Sequence, residues 1–344
     1  MAKAKQFVFL ADCKKEEVTS FAETLSYKGR NFDVRSHIAN WKRTGTLSEL
    51  KRYLMYFCVA LKYFCTRRRY ETIVGWQQFY ALIFCFYCSL FSVKKPCTVV
   101  ALNYTYKKKH GRLSKLYLWF MKRCMDARYL DYIHVPSAEY ADIIHEQFSF
   151  PRERIIVTTF GINDHYDDLA SLPAPDGYQR NGYALAIGRS NRDYDFLIKA
   201  WSDIDYPLVI ISDTYKGSSD SQNIHILTNV AGAASHPWIA NCALMIIPID
   251  DGSICSGDTV LLTAMSLKRR IVVTVPSTLA EMYVQDQVDA LLTPKNETQF
   301  QQVIQSALSG QYPGIGEQAR LSFLAKFSRR SMGEQVSKAL SGDH

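Results

Sequence analysis

Short runs rich in Val, Ile and Leu alternate with segments of helical period along almost the whole chain. QFVFL, ETIVG, CTVVALN, YIHV and RIIVT predict strands in the first half. YALAIG, PLVII, NIHIL, ALMIIP, RIVVTV and DALLT predict strands in the second. The intervening periodicity predicts helices over 113–126, 138–147, 194–204 and 297–309. The strands read as continuous apolar runs rather than alternating ones, as expected of strands buried on both faces. Strand–helix alternation of this kind predicts parallel sheets covered by helices.

Residues 163–182, NDHYDDLASLPAPDGYQRNG, lack hydrophobic periodicity and read as a linker. The predicted organisation is a doubly wound domain over 1–165, a second over 166–322, and a helical segment over 323–344 that returns to the first. Ligands of such sheets bind beyond the carboxyl ends of the strands, so two facing domains would place a cleft between those ends. The N-terminal MAKAKQFVFLADCKK holds only a five-residue apolar run, which reads as a first buried strand rather than a secretory signal.

Two stretches, 52–70 and 76–95, are dense in aromatics, with apolar runs of about 15 residues. That is short of the roughly 20 that a membrane-spanning helix needs. They read either as core helices or as helices lying in a membrane surface with their arginines at the headgroups. Charge sharpens the second reading. Residues 1–165 carry 27 Lys and Arg against 14 Asp and Glu, a net of +13, whereas the remainder nets −5 within a total of +8. A basic half of this kind suits anionic lipid, nucleic acid or phosphorylated substrates, but no nucleic-acid-binding module is recognisable. The nine cysteines are scattered, mostly within apolar runs, which predicts reduced thiols rather than a disulfide framework. Cys85 and Cys88 form a CxxC with no second pair, so core packing is the better reading than zinc.

The second half carries the candidate chemistry. In YALAIGRSNRDYDFLIKAW a strand exits through Gly188 into Arg189 and Arg192, where a guanidinium can fork onto a phosphate. In SICSGDTVLLTAM a polar turn opens a helix that Ser256 or Asp258 could cap. Gly257 lets a ligand approach the first-turn amides, from about Gly257 to Val260, and a helix N-terminus with free amides attracts anions. A diphosphate would bridge the arginine loop and this turn.

With AIGRSNRDYDFLIKAW, ALMIIPIDDGSICSGDTVLLTAMSLKRRIVVT and PSTLAEMYVQDQVDALLTPKN in order, residues 183–309 resemble the nucleotide-binding domain of family 4 of the retaining GT-B glycosyltransferases. The first half is similar more loosely, through TVVALNYTY, YIHVPSAEYADII and RIIVTTFGIN. The resemblance implies a GT-B fold and transfer of a sugar from a UDP- or GDP-linked donor with retention. It implies no cofactor and no metal, because the protein supplies the positive charge. Arg189 and Arg192 would neutralise the leaving diphosphate, and Gly188 and Ser256, Gly257, Asp258 and Thr259 would hold it. Thr263, Glu281 and Asn229 would serve the rest of the donor. Asn103 falls where many members place a catalytic His, and Trp76, Gln77 and Tyr104 would face the acceptor.

The chain departs from that family at its Glu-x7-Glu motif, where Cys255 and Thr263 stand. Asp251 or Asp258 is the candidate for the missing sugar contact. The glycine-rich loop after the first strand is absent. The leading expectation is a peripheral enzyme on the cytoplasmic face of a membrane, acting on a lipid-linked saccharide in surface or exopolysaccharide biosynthesis. The alternative is a non-catalytic nucleotide- or glycan-binding subunit that supports a partner transferase.

Overall fold

The computed structural model describes residues 4–38, 46–111, 113–230 and 232–342. The chain divides into two compact units, residues 1–163 together with 329–344, and residues 164–328.

The first unit holds strands β1 (Gln6–Ala11), a short antiparallel pair β2 (Ser26–Tyr27) and β3 (Arg30–Asn31), and then β4 (Asp33–Ser36), β5 (Tyr70–Gly75), β6 (Thr98–Ala101), β7 (Tyr132–Val135) and β8 (Ile155–Val157). Its six-stranded parallel sheet runs β4-β1-β5-β6-β7-β8. Phe9 stands opposite Val34 on one side and Val74 on the other. Helices α1 (Thr19–Thr24), α2 (Thr46–Cys65), α3 (Gln78–Leu90), α4 (Ser114–Cys124) and α5 (Ala138–Phe148) connect the strands. The edge strand β4, DVRS, has no apolar run and escaped the sequence pattern. It is fixed by pairing to β1, and just beyond it the His37 amide donates to the Ala11 carbonyl at 2.8 Å.

The two aromatic stretches part company in the structure. Helix α3 is buried over Tyr80–Cys85 and packs between α2 and α4, so it is core. Helix α2 buries Tyr56, Val59, Ala60, Tyr63 and Phe64 and leaves its opposite face in solvent. Among the described residues, no helix is long and apolar enough to cross a membrane. Cys85 and Cys88 are fully buried thiols in the same core, and burial pushes Cys88 up to about 12.

The second unit holds α6 (Tyr166–Leu169), β9 (Ala184–Ile187), α7 (Tyr194–Trp201), β10 (Leu208–Ile211), β11 (Ile224–Leu227), α8 (His236–Asn241), β12 (Leu244–Ile247), α9 (Asp258–Ser266), β13 (Arg270–Val275), α10 (Thr278–Tyr283), β14 (Leu291–Pro294), α11 (Glu297–Leu308) and α12 (Ile315–Ser322). Its parallel sheet runs β11-β10-β9-β12-β13-β14, the order of a dinucleotide-binding fold. All four residues of β9, β10 and β12 are buried, which explains their unbroken apolar sequences.

Residues 163–182 are not a free linker. Asp164 takes a forked pair of bonds from Arg320, at 2.9 and 2.8 Å. The Asn241 side chain donates to the carbonyls of Leu172 and Pro173. Tyr178 packs its ring edge-on against Trp238 at 4.9 Å. Side chains from elsewhere satisfy this backbone, so it needs no period of its own.

After a π-helical turn, Phe323–Phe327, helix α13 (Arg329–Ser341) packs on α1 within the first unit. Met332, Val336 and Leu340 join the cluster of Phe7, Phe9, Phe21 and Trp76 beneath the sheet. Contact is close because Gly333 has no side chain. A Cβ there would lie 2.3 Å from Thr24 Oγ1 and 2.6 Å from the Phe21 carbonyl oxygen. Thr24 Oγ1 donates to the Arg330 carbonyl at 2.9 Å, tying the helices at that point. Gly333→Ala should therefore destabilise the first unit by about 1–3 kcal/mol through overpacking. Chemical denaturation checks this, and an unchanged midpoint would contradict the close packing.

Candidate functional site

In the second unit the order of connection reverses at β9, which pairs with both β10 and β12. Loops leaving the carboxyl ends of neighbouring strands diverge at such a point and open a crevice. The crevice here has a volume of about 870 Å³. The loop after β9 contributes Gly188, Arg189, Ser190 and Arg192. The turn after β12 and the start of α9 contribute Cys255, Ser256, Gly257, Asp258, Thr259 and Thr263. Eight residues selected from the sequence thus line one recess, with Cys255 beside them.

Arg192 is its structural centre. Its Nη1 donates to the carbonyls of Ser190, Asn191 and Ser256 at 3.2, 3.1 and 3.4 Å. Its Nε is buried and, among the described residues, without a partner. Burial pushes this guanidinium below its ordinary value, against the pull of Tyr194 and Asp258. The loops can close on it because two positions lack a Cβ. One at Gly188 would lie 2.9 Å from Arg192 Nε, and one at Gly257 2.1 Å from Nη2. Both glycines also have positive φ, +155° and +102°. Arg189, by contrast, is exposed, and its carbonyl accepts from Thr214 Oγ1 at 2.5 Å.

Asn191 (φ +55°) locks the two loops together. Its Oδ1 accepts from the Asp251 amide at 2.7 Å, and its Nδ2 donates to the carbonyls of Asp251 and Ile254. Lys295 bridges Asp193 and the Asp250 carbonyl, both at 3.0 Å. Asp251 is turned into its own loop, where it accepts from the amide and hydroxyl of Ser253. Those bonds hold its carboxyl below the usual range. Asp251 does not line the recess; Asp258 does.

The expected side-chain cap of α9 is absent. Gly257 is the N-cap, and neither Ser256 nor Asp258 bonds across the first turn. The Asp258 carboxylate accepts from the adjacent Thr259, from its amide at 2.8 Å and its hydroxyl at 3.5 Å. The helix therefore points a largely uncapped N-terminus into the recess. The Thr263 hydroxyl gives its proton to the Thr259 carbonyl at 2.7 Å, so it faces the recess as an acceptor. Partial burial and Asp258 push the Cys255 thiol above its ordinary value, so it stays neutral.

Two donor-site candidates lie outside the lining. Glu281 is exposed on α10, whose start is anchored to the loop after β12 by the Thr278 hydroxyl donating to the Gly252 carbonyl. Asn229 (φ +60°) is exposed, and its amide donates to the Asp213 carboxylate at 2.7 Å. Asp213 itself lines the recess, as do Ser212, Gly232 and His236. Within the loop 227–232, Ala231 lies outside the described residues.

The first unit has its own reversal at β1, between β4 and β5. Of the four candidates there, Gln77 and Asn103 are polar and half-buried, and Gln77 joins a bonded group at that edge. Its Nε2 donates to Asp12 Oδ2 at 3.1 Å and to the Tyr56 hydroxyl at 3.2 Å. Asp12 was missed, although its position directly after the first strand, in FLAD, was the available signal. Tyr104 is completely buried with its hydroxyl unpartnered, and cannot meet an acceptor. Trp76 is 9% exposed, packed on Phe21 at 5.0 Å and covered by the Arg329 guanidinium at 4.8 Å. Asn103 (φ +52°) is half-buried, its amide group bonded to the Trp76 carbonyl. Tyr104 and Trp76 pack the edge rather than face a ligand, whereas Asn103 is tied to Trp76 and keeps part of its surface exposed.

The buried His134 supports the same edge. Its Nδ1 accepts from the Asn103 amide at 3.2 Å, so the proton sits on Nε2 and is donated to Thr158. Burial lowers its pKa to about 4.

No protein-family model and no curated protein sequence matches the chain. Among solved structures it is similar to HepE of Anabaena in complex with UDP, at 14% identity and a TM-score of 0.63, over 98% of this chain and 100% of that one. It is also similar to a glycosyltransferase from Rickettsia africae, at 13% and 0.59, over 98% and 99%. WaaG, a glycosyltransferase involved in lipopolysaccharide biosynthesis, gives 14% and 0.56, over 98% and 100%. At these identities the likeness establishes the fold, which is GT-B: two Rossmann-like domains, each on a six-stranded parallel sheet.

Two measurements follow. Gly257→Ala forces a Cβ into Arg192 at positive φ, so it should destabilise the second unit by about 1–3 kcal/mol. Thermal unfolding reads this loss, and an unchanged midpoint would contradict the close approach. For His134 the unfolded state binds the extra proton between its ordinary 6.5 and about 4. Stability should thus be complete above 6.5 and fall by on the order of 3 kcal/mol as pH drops through that window. His134→Gln should flatten this part of the denaturation-versus-pH curve, and an unchanged slope would refute the assignment.

Proposed function

We propose that the protein is a glycosyltransferase that moves a sugar from a nucleotide-sugar, UDP- or GDP-linked, to an acceptor. The observation that carries this is the pairing of Arg192 with the uncapped N-terminus of α9 in one recess. Both aim positive potential at the same volume, as a leaving diphosphate requires. The protein itself supplies that charge, so the reaction we infer needs no metal. The nucleoside lies toward Ser212, Asp213, Gly232 and His236. HepE, similar in fold, has been solved with UDP.

Retention at the anomeric carbon, a lipid-linked saccharide as acceptor, and work at the inner face of a membrane in surface-polysaccharide assembly complete the reading. The basic, aromatic first half supports the lipid part. WaaG is described as acting in lipopolysaccharide biosynthesis. In the first unit, the half-buried Asp12 and Gln77, bonded to each other and to the buried Tyr56 hydroxyl, offer polar groups suited to saccharide hydroxyls.

A second reading, a nucleotide-binding subunit without transferase activity, is favoured by one observation. Neither Cys255, a neutral thiol, nor Thr263, whose proton is spent on its own helix, replaces a carboxylate.

A thermal-shift panel of UDP-, GDP- and ADP-sugars, followed by donor-hydrolysis assays, separates the two. Hydrolysis or transfer supports the enzyme, and binding without turnover across several acceptors supports the subunit. Arg192→Ala should lower turnover by about a hundredfold or more, the usual effect of removing one preorganised donor. Arg189→Ala, at the exposed mouth, should cost about tenfold. Full activity in Arg192→Ala would dismiss the donor site.

A further inference from the structure

We propose that helices α2 and α4 together form the face by which this protein sits on an anionic lipid bilayer. On α2, Leu47, Leu50, Leu54 and Leu61 are exposed, with 42–65% of their surface in solvent. Their spacing of three, four and seven residues places them in one stripe along the helix. From Leu47 to Leu61 the stripe runs about 21 Å at the rise of an α-helix. Phe57 falls within the stripe and touches Phe120 of α4 at 5.8 Å, which joins the two helices edge to edge. On α4 and the residue before it, Leu113, Leu116 and Trp119 are exposed by 72%, 60% and 44%. Scattered single leucines on a surface need no explanation, whereas two adjoining apolar stripes do.

The charge around the stripes identifies the occupant. Lys51 and Lys62 flank the apolar line on α2, and Lys115 and Lys122 flank it on α4. Lys107, Lys108 and Lys109 lead into α4 and are exposed. Among the described residues none of these seven lysines is in an ion pair at 4.0 Å or less. The sequence 107–124, KKKHGRLSKLYLWFMKRC, contains no Asp or Glu. Trp119 adds an amphipathic ring of the kind enriched at the lipid headgroups. A second copy packed on this face would set lysine against lysine, a repulsive arrangement. An anionic leaflet receives the leucines between the headgroups and pairs with every lysine.

The inference deepens the proposed function by naming the surface that meets the membrane holding a lipid-linked acceptor, and it rests on that reading only for its biological purpose. The donor recess lies in the other unit and is read out separately.

The test is flotation of the full chain with vesicles of phosphatidylcholine alone or with about one third phosphatidylglycerol. The wild type should float with the anionic vesicles at low salt and stay behind with the neutral ones. Leu54→Glu/Leu116→Glu should lower vesicle binding at least tenfold. Lys107→Ala/Lys108→Ala/Lys109→Ala should do so on anionic vesicles, with a weaker salt dependence. Both sets lie on the surface, and unchanged thermal unfolding and an unchanged UDP-induced shift confirm that the fold is kept. A wild type that stays at the bottom of the gradient overturns the proposal, as does a leucine variant that floats like the wild type. A dimer in light scattering that Leu54→Glu/Leu116→Glu dissolves, without any flotation, also overturns it in favour of a second copy. Flotation without binding of any nucleotide-sugar upholds the membrane face while the transferase reading falls.

Discussion

The recess of the second unit depends on one buried cation. Arg192 passes under two polypeptide turns that can approach it only because Gly188 and Gly257 carry no side chain. Three carbonyls anchor Nη1, while Nε is left without a partner among the described residues. An unpaired buried charge is costly, and proteins retain one where a ligand or a reaction needs it. Once the guanidinium is fixed, the rest is constrained. The loop after β9 must meet the turn before α9, Asn191 must tie them, and α9 must start at a glycine instead of a side-chain cap. The helix end left open by that constraint is the second source of positive potential.

The same constraint accounts for what the recess lacks. Asp258 is the one carboxylate in the turn, and it is drawn onto the neighbouring Thr259 amide. Thr263 turns its proton inward, and Cys255 remains protonated. Under the proposed function, such a site would hold diphosphate through backbone and arginine and offer the sugar few charged contacts. Both functional readings follow from that chemistry, which is why turnover, and not binding, distinguishes them.

In the first unit, polar groups at the strand ends serve one another. Asn103 bonds the Trp76 carbonyl, His134 joins the Asn103 amide to Thr158, and the Arg329 guanidinium covers Trp76. Helix α13 closes the opposite side by fitting Gly333 against α1. What stays partly open at the edge is the pair Asp12 and Gln77, with the buried Tyr56 hydroxyl bonded to both. The outer helices leave leucines and lysines uncovered.

The sequence by itself determined the strands, because unbroken apolar runs are stable only where both faces of a sheet are covered. It also pointed to the Gly-Arg loop and the SGDT turn, because glycines there have a local meaning that survives without an alignment. It could not rank Arg189 against Arg192. Burial and the clearance at Gly257 come from residues more than sixty positions apart in the chain. It could not separate Trp76 and Tyr104, which look like surface aromatics in sequence, from core residues. Nor could it recognise β4 or the docked stretch 164–182, whose order comes from partners elsewhere. Periodicity records which faces are buried. Only the tertiary structure decides which polar group ends beside which, because that depends on distances between segments the sequence keeps far apart.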